Sequence, residues 1–140
     1  MKPIILAGIL IAALLSACGQ PAPRVEASGS SDNTTAEGDI TRGEFIFVSG
    51  NGGNAPPCTT CHTVGTSAMS LQLGPSLTHI ATDGADRISG VDAHDYIRQS
   101  ILQPQDHVVS GYRVGMYADY EADLSEQELT DLIAFLMTLD

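Results

Sequence analysis

The sequence predicts an all-α domain with long loops, and three observations carry that expectation. Two segments begin with a capping residue and continue with apolar side chains at helical spacing: Asp92 ahead of Ile97 and Ile101, and Ser125 with Glu128 ahead of Leu129, Leu132, Ile133, Leu136 and Leu139. No stretch alternates apolar and polar side chains with the period of two that a half-buried strand needs. The loops between Cys58 and Asp92 are longer than a compact all-α fold tolerates, unless something other than helix fills part of the core.

In chain order, Met1-Lys2 is followed by the uncharged stretch Ile4 to Ala17. It is short of the about 20 residues that span a bilayer, and it fits the apolar region of a secretory signal. The run Leu15-Ser16-Ala17-Cys18-Gly19 resembles the bacterial lipoprotein signal. That resemblance implies removal of residues 1–17, acylation of Cys18, and attachment to a membrane without a spanning helix. A signal with an incidental cysteine and an uncleaved anchor are the plainer readings. Residues 18–38 then form the lipidated cysteine and a linker, in which Val25 is the only large aliphatic side chain. Such a segment buries too little apolar surface to offset its ordering entropy. As a flexible chain it has an r.m.s. span of about 25 Å.

The folded domain is expected at 39–140. Thr41-Arg42-Gly43-Glu44 has capping-box spacing and opens Phe45-Ile46-Phe47-Val48, which places a helix at 41–49, ended by Gly50-Asn51-Gly52-Gly53. A second helix is expected at 93–102, capped by Asp92 and stopped by Pro104. The Ser125–Glu128 capping box opens the last helix, and a shorter helical turn is expected around 76–81. Gly50–Pro57 reads as a surface loop or as the shaping of an exposed edge.

Cys58-Thr59-Thr60-Cys61-His62 matches C-x-x-C-H, the c-type haem attachment sequence. The spacing has a chemical reason: two thiols must reach two vinyl groups on one porphyrin edge, and the next residue must aim its imidazole at the iron. Chance produces such a coincidence in on the order of one chain in a thousand of this length. A Cys58–Cys61 disulfide would be strained and reducible. A thioredoxin-like pair would need a neighbouring βαβ pattern, and a zinc site would need a further ligand pair; the domain offers neither.

Over residues 41–140 the chain resembles the class I cytochromes c. Gly43 and Phe47 look like the glycine and aromatic of that family's first helix, and Leu132 and Phe135 like their partners on the last. Gly74-Pro75-Ser76-Leu77 is similar to the family's Gly-Pro-x-Leu segment, which implies that the Pro75 carbonyl orients His62 from behind. The resemblance implies three to five helices with long loops wrapped around one covalently attached haem c. Cys58 and Cys61 would supply the thioethers, and His62 and Met116 the axial ligands. Tyr117 stands where the family usually has proline after the methionine, a departure that bears on the rigidity of that loop. Met69, Met137, His107, His79 and His94 are the competing donors: Met69 lies close to His62 in sequence, and Met137 is expected to pack within the last helix. Tyr112 and Arg113, with Tyr117 and Tyr120 nearby, are candidates for the haem carboxylates, solvent-facing loop residues being the alternative.

Composition bounds the function. Seventeen acidic residues against six basic ones give a formal net charge of −11, which excludes a general nucleic-acid binder and a polybasic membrane patch. Tyr96–Pro104 and Val108–Tyr112 are similar to the monohaem domains of bacterial respiratory oxidases and related complexes. The resemblance implies an exported, membrane-anchored electron carrier, not an enzyme. It would pass one electron between respiratory or photosynthetic partners, either on its tether or as a subunit of a quinol-oxidising or oxidase complex, such as alternative complex III. The acids Asp119, Glu121, Asp123, Glu126, Glu128 and Asp131 suggest a partner with a basic docking surface. A haem enzyme or gas-binding protein with a labile sixth ligand is the alternative, and thiol–disulfide exchange a third class.

Overall fold

The computed structural model describes residues 37–66, 71–113 and 115–140. The expected signal, Cys18, the linker to residue 36, and Met69 lie outside these residues. Among the described residues there are five α-helices, two 3-10 turns and no strand. None of the helices is long and apolar enough to cross a membrane.

Helix α1 (Ile40–Ser49) starts one residue ahead of the expected boundary, and its cap is Asp39, not Thr41. The Asp39 carboxylate accepts from the Arg42 N–H at 3.0 Å, so the Thr41–Glu44 capping box does not form. The helix ends at Gly50, whose φ of 72° suits glycine. Helix α5 (Glu126–Leu136) carries the expected Ser125–Glu128 capping box. It stops before Leu139, which packs half-buried against the core from beyond the helix end.

These two helices form the frame. A Cβ at Gly43 would fall on the Asp131 carbonyl oxygen and come within 2.8 Å of the Phe135 Cβ, so only glycine lets α1 approach α5 so closely. One turn on, the Phe47 and Phe135 rings meet with centroids 5.4 Å apart, tilted by 51°. Ile46, Leu129, Leu132 and Ile133 are fully buried, each contributing about 2 kcal/mol relative to exposure. Asp131 is a buried acid on α5. Its carboxylate accepts from the Asp39 N–H at 2.8 Å and from the Gln127 amide at 2.7 Å, tying the start of α1 to the last helix. It is a structural residue and not a surface charge, which corrects its place among the expected docking acids.

Between the frame helices runs the irregular half. Helix α2 (Ile80–Asp83) starts at the far end of the expected 76–81 turn, and a 3-10 turn at Gly84–Asp86 continues it. Helix α3 (Ala93–Leu102) has the expected bounds and cap, with the Asp92 carboxylate accepting from the Asp95 N–H at 2.8 Å. Helix α4 (Tyr120–Asp123) is not anticipated by the sequence pattern, since four residues carry no periodicity to read. The chain end secures α2: the Ala81 N–H donates to the Leu139 carbonyl at 3.0 Å, and the Thr82 hydroxyl donates to Asp140.

Candidate haem site

The attachment motif folds as a single tight turn. Pro57 sets extended backbone ahead of a 3-10 turn at Cys58–Thr60, and the Cys61 and His62 N–H groups both donate back to the Cys58 carbonyl, at 3.1 and 2.9 Å. Cys58 and Cys61 are half-buried free thiols, and His62 is buried. Burial pushes the Cys58 thiol up to about 12. A disulfide-exchange cysteine needs the opposite shift, toward the thiolate.

His62 is held by the segment that follows. Its Nδ1 lies 2.8 Å from the Pro75 carbonyl oxygen. A carbonyl can only accept, so Nδ1 carries the proton and the Nε2 lone pair is left free. Burial lowers the imidazole's pKa, partly offset by the Pro75 contact, and the ring therefore stays neutral at pH 7. Gly74 lies flat against the ring: a Cβ there would collide with Cε1 and come within 2.8 Å of Nδ1. Backbone bonds from Gly74 N–H to the Cys61 carbonyl (3.0 Å) and from Leu77 N–H to the Thr63 carbonyl (2.8 Å) stitch this strap to the motif.

His62 opens onto a cleft of about 920 Å³, solvent at its mouth included. Phe47, Leu132 and Leu136 of the frame form one wall, Ile97 and Ile101 of α3 contribute another part, and Val108, Val109 and Met116 come from the long loop. A smaller pocket adjoins it, where Met116 meets Cys58, Cys61, His62 and Tyr120. The Cys58 thiol, a neutral imidazole with one free nitrogen and a thioether thus border one mostly apolar cleft, with the Cys61 thiol in the adjoining pocket. That donor set, in that setting, fits a covalently held haem.

The competing donors separate. His107 lines the cleft with its ring edge-on to Tyr96, centroids 5.9 Å apart, so it and Met116 are the donors that join His62 there. His79 is exposed at the start of α2, and His94 is exposed beside Asp95. Met137 is exposed at the C-cap of α5 and does not pack as expected.

The carboxylate candidates separate as well. Tyr112 lines the cleft, but Arg113 is exposed and absent from its lining. The arginine in the lining is Arg87, 3.8 Å from Asp83, which no sequence motif marks. Its i,i+4 spacing from Asp83 is the only signal, and it points to a surface pair. The Tyr117 hydroxyl donates to Asp123 at 2.6 Å, a bond that, with the surrounding acids, pushes its pKa up to about 12. The Tyr120 hydroxyl donates to the Pro56 carbonyl at 3.2 Å. Both phenols are engaged within the protein.

Of the expected docking acids, Glu126 pairs with Arg98 at 3.2 Å, Glu128 caps α5 and meets Arg42 at 3.4 Å, and Asp123 accepts from Tyr117. Asp119 and Glu121 remain as exposed carboxylates beside the Met116 loop.

No curated protein matches the chain in a sequence comparison. The family model described as Cytochrome c matches residues 42–140, the whole of the helical frame from Arg42 onward and every group that borders the cleft. The chain therefore belongs to the cytochrome c family, as an electron-transfer protein of the all-α class I fold that binds covalent haem c.

Proposed function

We propose that this cytochrome works as a single-haem carrier on the extracytoplasmic side of a membrane, anchored by acyl chains on Cys18 and passing one electron at a time between respiratory redox proteins. The observation that carries the reading is the shared cleft of His62 and Met116, with the His62 ring oriented by the Pro75 carbonyl. Cys58 and Cys61 would hold the haem covalently, and His62 through Nε2 and Met116 through its thioether would be the residues that bind its iron. When bound, the haem supplies reversible one-electron exchange. The protein's part is to fix both donors, keep water off the apolar walls and leave an edge for contact. A soft thioether paired with imidazole favours the reduced iron and raises the potential. Met116 is preferred to His107 because it borders both the cleft and the pocket beside the two cysteines, whereas His107 borders the cleft alone.

Asp119 and Glu121, exposed on either side of Tyr120, give the surface beside the Met116 loop a negative character that suits a partner with a basic docking surface. Docking of this kind also fits a place as a subunit of a quinol-oxidising or oxidase complex.

The ferric absorption spectrum tests the ligand set. Protein from a cytochrome-c-maturing host is expected to be low-spin, with the weak far-red methionine-to-iron band. Met116→Ala should abolish the band and lower the potential by on the order of 0.1 V, while His107→Ala leaves the band in place. A high-spin haem that takes up CO or peroxide directly would point instead to a haem enzyme or gas binder. Intact mass should show one haem on the protein and acyl chains on Cys18, and Cys18→Ser should release it from membranes.

A further inference from the structure

The loop that carries Met116 is weakly held by its own backbone. Among the described residues, no backbone hydrogen bond ties 115–118 to another part of the chain. Side chains supply the attachment. Tyr117, next to Met116, donates its hydroxyl to the Asp123 carboxylate at 2.6 Å, a short bond to an ionised acceptor. Its ring meets Tyr120 edge to face, with centroids 5.1 Å apart.

Both of those partners sit on α4, and α4 is fastened in turn to the loop that leads into Cys58. The Asp123 carbonyl accepts from the Asn51 amide at 2.6 Å, the Asp123 carboxylate accepts from Asn54 at 3.4 Å, and the Tyr120 hydroxyl donates to the Pro56 carbonyl at 3.2 Å. A continuous chain of contacts thus runs from Met116 through Tyr117 and α4 to Pro56, two residues ahead of the first haem-attachment cysteine.

The geometry points to Tyr117 as a positioning residue that clamps the Met116 loop to the Gly50–Pro57 loop through α4, and so sets how readily Met116 leaves the iron. This rests on the reading of Met116 as a ligand. The Gly50–Pro57 loop then has a definite role as the fixed end of the clamp. The Tyr117–Asp123 bond acts on the lifetime of the Met116 contact and not on the cohesion of the α1–α5 frame, which it does not touch.

The test uses the full-length, haem-loaded protein in the ferric state and imidazole as the probe, because imidazole reaches the iron only after Met116 has left. Tyr117→Phe and Asp123→Asn should each speed imidazole binding by about fivefold, as expected for loss of one partly solvated, charge-assisted hydrogen bond. The double variant should be no faster than about tenfold, since both changes remove the same contact. Tyr117→Leu, which also removes the ring from Tyr120, should be faster than Tyr117→Phe. The denaturant midpoint should stay near that of the parent in all of them. Unchanged imidazole kinetics in Tyr117→Phe, with the far-red band intact, would sink the clamp and leave the ligand assignment standing. A fall in the denaturant midpoint without a change in imidazole rate would reduce Tyr117 to an ordinary surface contact. A parent protein that lacks the band, or a Met116→Ala variant that keeps it, overturns the ligand assignment and the clamp with it.

Discussion

The α1–α5 crossing and the walls of the cleft are built by opposite means. At the crossing, protein meets protein: Gly43 lets backbone approach backbone, the Phe47 ring packs tilted against Phe135, and the one buried acid among the described residues, Asp131, has both an N–H and an amide donor. Around the cleft, α3, the segment at 74–77 and the loop residues Val108, Val109 and Met116 turn apolar side chains toward a space that the haem shares. The first region is closed by its own complementarity, whereas the second is organised around the donors it offers. Two glycines show the difference. Gly43 is kept bare by a helix backbone, and Gly74 by the His62 ring.

Substitutions at these positions are expected to separate the two regions, the largest effect lying at the crossing. Gly43→Ala forces a methyl onto the Asp131 carbonyl and should cost about 3 kcal/mol or more, read from denaturant unfolding. At Gly52, with φ 78° and nothing within 4 Å, the same change should cost about 1 kcal/mol, the left-handed backbone alone. If the two costs were equal, the crossing would not be the close contact described. Gly74→Ala should destabilise less than Gly43→Ala. It pushes on His62, so its main readout is the visible spectrum, with low-spin character declining. An unaltered spectrum would mean that the strap yields and the ring does not.

Asp131→Ala leaves the Asp39 N–H and the Gln127 amide without their acceptor, and should cost about 2 kcal/mol while sparing the spectrum. The smallest effect is expected at Glu128. The Ser125 N–H, with its hydroxyl and Arg42 adding less, holds this carboxyl below its ordinary value of 4.5. A depressed carboxyl stabilises the fold above its unfolded pKa, and that contribution fades as pH falls through the lower folded value. Glu128→Gln should therefore flatten the acid limb of the stability curve below pH 4.5, by about 0.5 kcal/mol because its contacts lie at the surface, where solvent screens them. A limb that keeps its slope would place the acid sensitivity in other carboxylates.

Much of the fold is legible in the sequence where the signal is local. The α3 and α5 caps follow from the sequence because a side chain and an N–H three residues away are set by spacing alone. Helix α1 is found the same way, but with the wrong cap: Asp39 and Thr41 both offer an oxygen at plausible spacing, and the tie from the Asp39 N–H to Asp131 is a distant contact. Helix α4 and the position of α2 escape because four-residue helices have no periodicity. Arg113 and Arg87 exchange places for a related reason, since which arginine borders a cleft depends on how straps and helices dock.

The sequence by itself determined the haem chemistry and the helical frame. Two cysteines, a histidine, a capping box and an i, i+3, i+4 stripe are short-range patterns whose meaning survives without coordinates. Tertiary structure alone decided which charges are free, which donors share the cleft with His62, and what fastens the Met116 loop. The acidic excess looks like one docking face when read along the chain. Folded, Asp131 is interior, Glu126 and Glu128 face arginines, and Asp123 accepts from Tyr117, leaving Asp119 and Glu121 exposed beside the Met116 loop. The physical reason is range. Caps and attachment motifs are settled within one or two turns of chain, whereas burial and pairing are settled by residues tens of positions apart that meet only when the helices pack.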